Sequence, residues 1–419
     1  MHIPAERIRP DRSIRLRNAT VVDVRTGTTT PGRTVTVVDG VVDLDRPADA
    51  PWQGRDVDLA GRHVLPGLIS VHTHLTAVYP FEEIDLAEGA DVSVLRGLSR
   101  ATDALRAGIT TVRCLDEHNR ADIAIRRAAA QGWVQAPRIL AAGRAITTTG
   151  GRGHGFTDAV ADGYDGFLKA ARTEFGAGAD HVKIFITGGI AREGEDFVGA
   201  EMTEDEMRAA VRAATERGKY VVAHAGHGPA IRQAVAAGVR SFEHAYDVDL
   251  ETVAVMRDAG VFVTPTLSVT HCPEWMAEHH FTPWQIERAV SVGPGHLASI
   301  RRIVDHGRGE TPGSGVTFVT GTDYPPGEPY EDTVCQVREM ELMVTAGLSP
   351  AEVVRAATLD GARLVGLADR IGAVENGYLA DLVVTDDDPT RDVSALRRTR
   401  LVLQEGRTVR DDLSGGAAA

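Results

Sequence analysis

The stretch EDEMRAAVRAATERGKYVVAHAGHGPAIRQAVAAGVRSFEHA, residues Glu204–Ala245, decides the fold class. Its first segment, EDEMRAAVRAATERG, is rich in Ala, Arg and Glu and stops at Gly218, a residue suited to the backbone turn that ends a helix. YVVAH follows as a short apolar run of strand length. PAIRQAVAAG repeats the helical texture and stops at Gly238, and RSFEHA repeats the strand. Alternation of this kind points to a parallel sheet covered by helices.

The pattern extends in both directions. Strand-like runs recur as LISVHTH, ITTVRCL, RILAAG, HVKIFITGG, YVVAH, RSFEHA, VFVTPT and VTFVTGTD, with helical segments such as LRGLSRATDALRAG between most of them. Eight runs with intervening helices is the count of a (β/α)8 TIM barrel, an α/β architecture expected here over residues 63–368. A doubly wound open sheet is the rival, but no GxGxxG follows the first strand. Residues 271–312 break the rhythm between the seventh and eighth runs and carry Trp275, Trp284 and a concentration of His. A long insertion at that place is expected to act as a lid or specificity loop. The two ends differ from the middle: IRLRNATVVDVRTG and RTVTVVDGVVDLD near the start, and ADLVVTDDD and RRTRLVLQEGRTVRDD near the end, are Val-rich and turn-punctuated. Residues 1–62 and 369–412 are therefore expected to build one small β-sandwich, with 413–419 a disordered tail.

Composition narrows the function classes. The chain has 419 residues, 25% of them charged, and a net charge of −14 with no Lys/Arg block, which argues against nucleic acid or an anionic membrane as partner. Cys114, Cys272 and Cys335 are odd in number and form no CxxC, so a reducing, cytoplasmic location is expected. The first residues, MHIPAERIRPDRSIRL, contain no apolar signal segment, and no run approaches the ~18 apolar residues of a membrane span. The expected partners are a small-molecule substrate and further copies of the chain.

Chemistry gathers where the apolar runs end. His72 and His74, in PGLISVHTHL, are two apart, so in a strand both imidazoles face one side. An HxH pair alone is weak evidence of metal, but this one closes the first barrel strand, where barrel enzymes place their chemistry. His224 closes YVVAH, His244 closes RSFEHA, and Asp323 closes VTFVTGTD. Singly, each reads as a satisfied core residue or a helix cap. Together they form a set of nitrogen and oxygen donors that suits Zn²⁺, with Mn²⁺, Co²⁺ or Fe²⁺ as alternatives.

Lys183 stands inside the apolar run HVKIFIT, in a chain with only three lysines. It is either a lysine reaching the barrel mouth, or one paired with a carboxylate, or a buried amine held neutral and nucleophilic. Beside two cations, such an amine that captured CO2 would become an anionic oxygen donor able to bridge them.

The chain resembles the amidohydrolase superfamily over nearly its whole length: the two-ended sandwich, PGLISVHTHL, the Lys before TGG, the two later His and GTD. GITTVR (Gly108–Arg113), TTTGGRGH (Thr147–His154), VKIFITGG and SFEHA are most similar to the imidazolonepropionase-related branch, with its Xaa-Pro and Xaa-Arg dipeptidases and N-acyl amino acid hydrolases. The resemblance implies that His72, His74 and Asp323 bind one divalent metal, His224 and His244 a second, and a CO2-derived carbamate on Lys183 bridges them. It also implies attack on an amide carbonyl by a metal-bridging hydroxide, with Asp323 as general base and then acid. Mononuclear deaminases of the superfamily have an acidic residue shortly after the strand-five His. Here Ala225, Gly226 and His227 follow His224.

Departures bear on the substrate. Gly226 stands where the dipeptidases commonly have Tyr, Cys114 where many have Asp, and GGRGH carries an inserted Arg-Gly. Arg152 or His154 is placed to hold a substrate carboxylate, the alternative being a glycine-rich loop whose Arg and His face solvent. The expected substrate is a dipeptide or N-acyl amino acid. The alternatives are a cyclic amide of the imidazolone, hydantoin or lactam kind, also as part of secondary metabolism, and a non-catalytic scaffold.

Overall fold

The structure is a computed structural model that describes residues 12–80, 83–155, 157, 159–311 and 314–413. The expected tail lies outside the described residues from position 414 onward. The fold is mixed α/β and divides into two compact units. The first comprises the chain up to Ile69, Leu105–Thr110 and the chain from Pro350; the second comprises Ser70–Ala104 and Thr111–Ser349.

The strands of the first unit are β1 (Ile14–Asp23), β2 (Thr28–Val38), β3 (Val41–Asp43), β4 (Arg55–Asp58), β5 (His63–Pro66) and, near the other end of the chain, β16 (Leu382–Thr385), β17 (Thr399–Gln404) and β18 (Arg407–Asp411). They form one sheet in the order β18-β17-β16-β5-β1-β2-β3, with β4 also on β1. The two ends of the chain meet where β16 pairs antiparallel with β5, Leu382 opposite Pro66 and Thr385 opposite His63. One apolar cluster draws Leu16, Val35, Val64, Leu382, Leu401 and Leu403 from both ends.

In the second unit the strands run parallel and are separated by helices. They are β6 (Leu68–Thr73) and β7 (Ile109–Cys114), each beginning in the first unit, then β8 (Arg138–Leu140), β9 (Val182–Phe185), β10 (Val221–His227), β11 (Ser241–Asp247), β12 (Phe262–Thr264) and β13 (Thr317–Phe318). β6, β7 and β8 make one sheet and β9 to β13 another. Ile146, just after β8, bridges Ile184 of β9, and Val71 N–H of β6 donates to Thr320 O at 2.8 Å just after β13. Every residue of β6, β7 and β9 is buried, as expected of parallel strands covered on both faces.

Helices α1 (Ala90–Arg106), α2 (Ala121–Ala130), α3 (Gly163–Ala177), α4 (Glu204–Thr215), α5 (Gly228–Ala237) and α6 (Leu250–Ala259) fall between these strands. α4 starts at Thr203, whose hydroxyl accepts from Glu206 N–H while the Glu206 carboxylate accepts from Thr203 N–H, a reciprocal cap. The expected insertion is helical: α7 (Ser268–His271), α8 (Pro273–Glu278) and α9 (Pro283–His306). The strand pair β14 (Pro329–Tyr330) and β15 (Thr333–Val334) leads to α10 (Cys335–Thr345), and α11 (Pro350–Arg355) and α12 (Gly361–Leu364) belong to the first unit. No helix among the described residues is long and apolar enough to cross a membrane.

Candidate metal centre

His72 lies on β6, Lys183 on β9, His224 on β10 and His244 on β11; His74 and Asp323 follow β6 and β13. All six line one cavity, together with Arg152, Asp116 and His118. The Nε2 atoms of His72 and His74 are each 2.9 Å from Asp323 Oδ1. The His72 ring centroid lies 5.2 Å from that of His244, which lies 4.5 Å from that of His224. Donor atoms of His72, His244 and Asp323 all fall within 4.8 Å of one another.

Backbone geometry outside the usual strand conformation helps to build this cluster. His244 and Asp323 have φ of 70° and 62°, a left-handed conformation that non-glycine residues rarely adopt. It turns the side chain of His244 within β11, which runs on to Asp247 past the end expected from RSFEHA, and that of Asp323 in the segment after β13. Gly321 is required by close approach, since a Cβ there would sit 2.5 Å from the His72 nitrogen.

Each imidazole is anchored within the protein through one nitrogen, which in the neutral ring leaves the other with a lone pair. His74 Nδ1 lies 3.1 Å from Asp116 O and His224 Nε2 lies 3.0 Å from Gly188 O, and a carbonyl can only accept. Those two nitrogens therefore carry the protons. His244 Nδ1 is 2.6 Å from the Thr266 hydroxyl, which itself donates to Pro265 O. His72 Nδ1 faces the Glu243 carboxylate at 2.7 Å. The remaining nitrogen carries a lone pair when the ring is neutral; burial disfavours a second proton on His74, but the Asp323 carboxylate beside it outweighs burial and raises that ring's pKa. His72 Nε2 is buried without a hydrogen bond although Asp323 Oδ1 is close. A proton or a divalent cation satisfies a nitrogen and a carboxylate oxygen at that distance. The residues thus fit divalent metal, and the N–H anchors supply the orientation that metal-binding histidines need.

A buried charge network stands behind His72. Glu243 accepts from Arg113 Nη2 at 2.8 Å, and both side chains are fully buried. Ser241 Oγ accepts from Arg113 at 3.2 Å and donates to Glu243 at 3.0 Å. Burial opposes ionisation of Glu243, but Arg113 and then His72 outweigh it and hold the carboxyl below its usual range. Burial likewise works against a charged Asp323, yet His72 and His74 keep its carboxyl well below the usual range. Desolvation lowers the Lys183 amine to about 8 and raises the Asp116 carboxyl to about 7. Lys183 is 2% exposed and makes no ion pair among the described residues, so the neutral amine is within easy reach.

Arg152 and His154 part company. Arg152 lines the metal-site cavity with Nη1 3.2 Å from Glu195 Oε1. His154 is exposed, its Nδ1 accepting from Gly150 N–H at 3.3 Å. Sequence reading passed over Arg113 and Glu243, although a charge inside the apolar runs ITTVRC and SFEHA is the same signal that singled out Lys183. His296 of α9 was also missed: its Nε2 donates to His244 O at 3.0 Å, bracing a candidate ligand from the insertion.

With four histidines on or just after parallel strands, a buried lysine and an aspartate lining one cavity in an α/β fold, the class is a hydrolase of the amidohydrolase type. The chain belongs to the Amidohydrolase family, whose pattern matches residues 63–409. Among solved structures it is similar to a prolidase complexed with N-methylphosphonate-L-proline, at 29% identity and a TM-score of 0.85, covering 95% of this chain and 100% of that one. It is also similar to a Xaa-Pro dipeptidase with bound methionine, at 26% identity and a TM-score of 0.82, covering 94% of this chain and 99% of that one. Ochratoxinase of Aspergillus niger is 25% identical over 369 residues, 81% of this chain and 73% of that protein.

Proposed function

We propose that this protein is a binuclear metal-dependent amidohydrolase that cleaves a linear amide, a dipeptide or an N-acyl amino acid, on a (β/α)8 barrel formed by β6 to β13, with the first unit as its β-sandwich. The observation that carries the reading is the set of four histidines, each anchored within the protein through one nitrogen, that line one cavity with Asp323 and Lys183. His72, His74 and Asp323 would hold one ion, His224 and His244 the other, and carboxylated Lys183 would join the two sites. Zn²⁺ suits these donors best, and divalent ions there would supply Lewis acidity toward the carbonyl and an activated water.

The remaining work falls to the chain. Asp323 takes the proton of the attacking water on its carboxylate and returns it to the departing nitrogen, so that amide and water become acid and amine. Glu243 keeps His72 in the required tautomer, and Arg113 keeps Glu243 ionised. Arg152, at the cavity wall, is the candidate anchor for the carboxylate of the departing amino acid, exchanging Glu195 for it. The similarity to a prolidase and a Xaa-Pro dipeptidase supports a substrate of this shape.

The test joins metal analysis of unchelated protein with a screen of dipeptides, N-acyl amino acids and cyclic amides in Zn²⁺ or Mn²⁺. About two ions per chain and turnover of a linear amide are expected; protein without metal would remove the hydrolase reading. Selective turnover of a cyclic amide would replace the linear substrate.

A further inference from the structure

A second cavity adjoins the metal-site cavity and shares Arg152, His224 and Asp323 with it. Its remaining walls are largely apolar: Ile190, Tyr246, Val269, Met276, Phe281 and Ala289. Four of these come from the segment between β12 and β13, Val269 on α7, Met276 on α8, Phe281 after it and Ala289 on α9. The amide of Gln285, also in the wall, is engaged within the protein, Nε2 donating to Ala191 O at 3.0 Å and Oε1 accepting from Thr282 N–H at 2.9 Å.

The walls are braced from behind. Tyr246 stacks on His244 at 5.1 Å and meets His296 edge-on at 4.7 Å. Phe281 stacks with Tyr79 at 5.6 Å, and Tyr324 lies 4.1 Å from Trp275. Gly226 contributes by what it lacks. A Cβ there would come within 2.5 Å of Phe197 O, so glycine admits the loop after β9, whose Phe197 packs 5.5 Å from Tyr246. Where a side chain could stand at 226, this chain has placed a second aromatic layer behind the cavity wall.

We propose that this second cavity receives the side chain of the departing amino acid, and that it selects a bulky uncharged one, aromatic or branched aliphatic. The inference rests on the amide-hydrolase reading and adds its specificity. Asp323, which returns a proton to the leaving nitrogen, and Arg152, the anchor for the leaving carboxylate, both border the cavity. The group attached between nitrogen and carboxylate then points into it. An apolar side chain is drawn in by burial, whereas a lysyl or aspartyl side chain would meet apolar walls with no ion-pair partner beyond the shared rim.

The experiment uses the full-length, metal-loaded protein and two readouts. The first is kcat/KM for N-acetyl-L-phenylalanine, N-acetyl-L-leucine, N-acetylglycine and N-acetyl-L-lysine. The second is calorimetric binding of the four free amino acids. Phenylalanine and leucine are expected to exceed glycine and lysine by on the order of 100-fold in kcat/KM and in the same order in binding. Ala289→Phe, which fills the cavity, should cut that ratio at least tenfold, and Met276→Ala should shift it toward still larger side chains. Equal turnover of the glycyl and leucyl compounds, or preference for lysine, overturns the inference and leaves the hydrolase standing. Selective binding of phenylalanine, lost in Ala289→Phe, with no turnover of any amide keeps the cavity assignment and overturns the hydrolase. Should either variant fail to fold, the wild-type series decides.

Discussion

Lys183 and the Arg113–Glu243 pair are charges placed inside apolar strands, and they answer to different physics. Lys183 makes no direct ion pair among the described residues, and desolvation outweighs the more distant charges of Glu243 and Asp323 and lowers its amine to about 8; Arg113 and Glu243 keep their charges because each neutralises the other. Lys183→Met removes the one without exposing an unpaired charge. It is expected to fold, to lose bound metal and activity, and to recover part of the activity with short carboxylic acids; unchanged metal content would make Lys183 structural. Arg113→Met strands a buried carboxylate and should cost about 3–5 kcal/mol in denaturant unfolding. Glu243→Gln should weaken metal binding about 10–100-fold, measured by competition with a chelator, because His72 loses its anionic anchor. The Glu243 carboxyl is depressed in the fold, so its stabilisation is present above its unfolded value of about 4.3 and is lost as pH falls toward the folded one. Acid unfolding of Glu243→Gln should accordingly lack that part of the pH dependence.

At the scale of elements, the strands deliver side chains, and left-handed residues in or after them aim some of those side chains. His72 and Lys183 need nothing beyond strand alternation, which is why HTH and VKIF were readable as they stand. His244 and Asp323 sit at left-handed residues, a conformation that no local composition predicted. The insertion was legible as a break in rhythm, yet its helices and the His296 bond to His244 O were not, because that partner is 52 residues away. Gly226 had registered as a departure without a cause; the cause is the Phe197 loop against it. Gly226→Ala should therefore displace that loop, since the Phe197 backbone oxygen 2.5 Å away can move only by carrying the loop with it, and should lower thermal stability and blunt selectivity for the leaving residue. Thr203→Ala, by contrast, removes only the reciprocal cap of α4 and should cost about 1 kcal/mol with kinetics unchanged.

For the whole molecule, the metal-site residues come from strands spread between Leu68 and Asp323. Any ion they hold binds the folded chain and not the unfolded one, so it stabilises by mass action. Chelation is expected to lower the melting temperature by roughly 5–10 °C, reversed by Zn²⁺, as follows from ~4 kcal/mol of linkage at a thousandfold excess over Kd. A melting temperature indifferent to chelation would argue that the cluster holds no ion. The sequence by itself determined the alternation of helix and strand, the sheet-forming texture of both ends, and the donors at strand termini, because these follow from local periodicity and from the chemistry of single side chains. It determined the family as well, through motifs that are short and contiguous. Only the tertiary structure decided which nitrogen of each histidine is anchored within the protein, that Arg113 and Glu243 stand behind His72, that Arg152 reaches the cavity while His154 does not, and that α8 and α9 wall a second cavity. Those facts rest on contacts between residues far apart in the chain, whose energy exists only once the strands have been brought side by side.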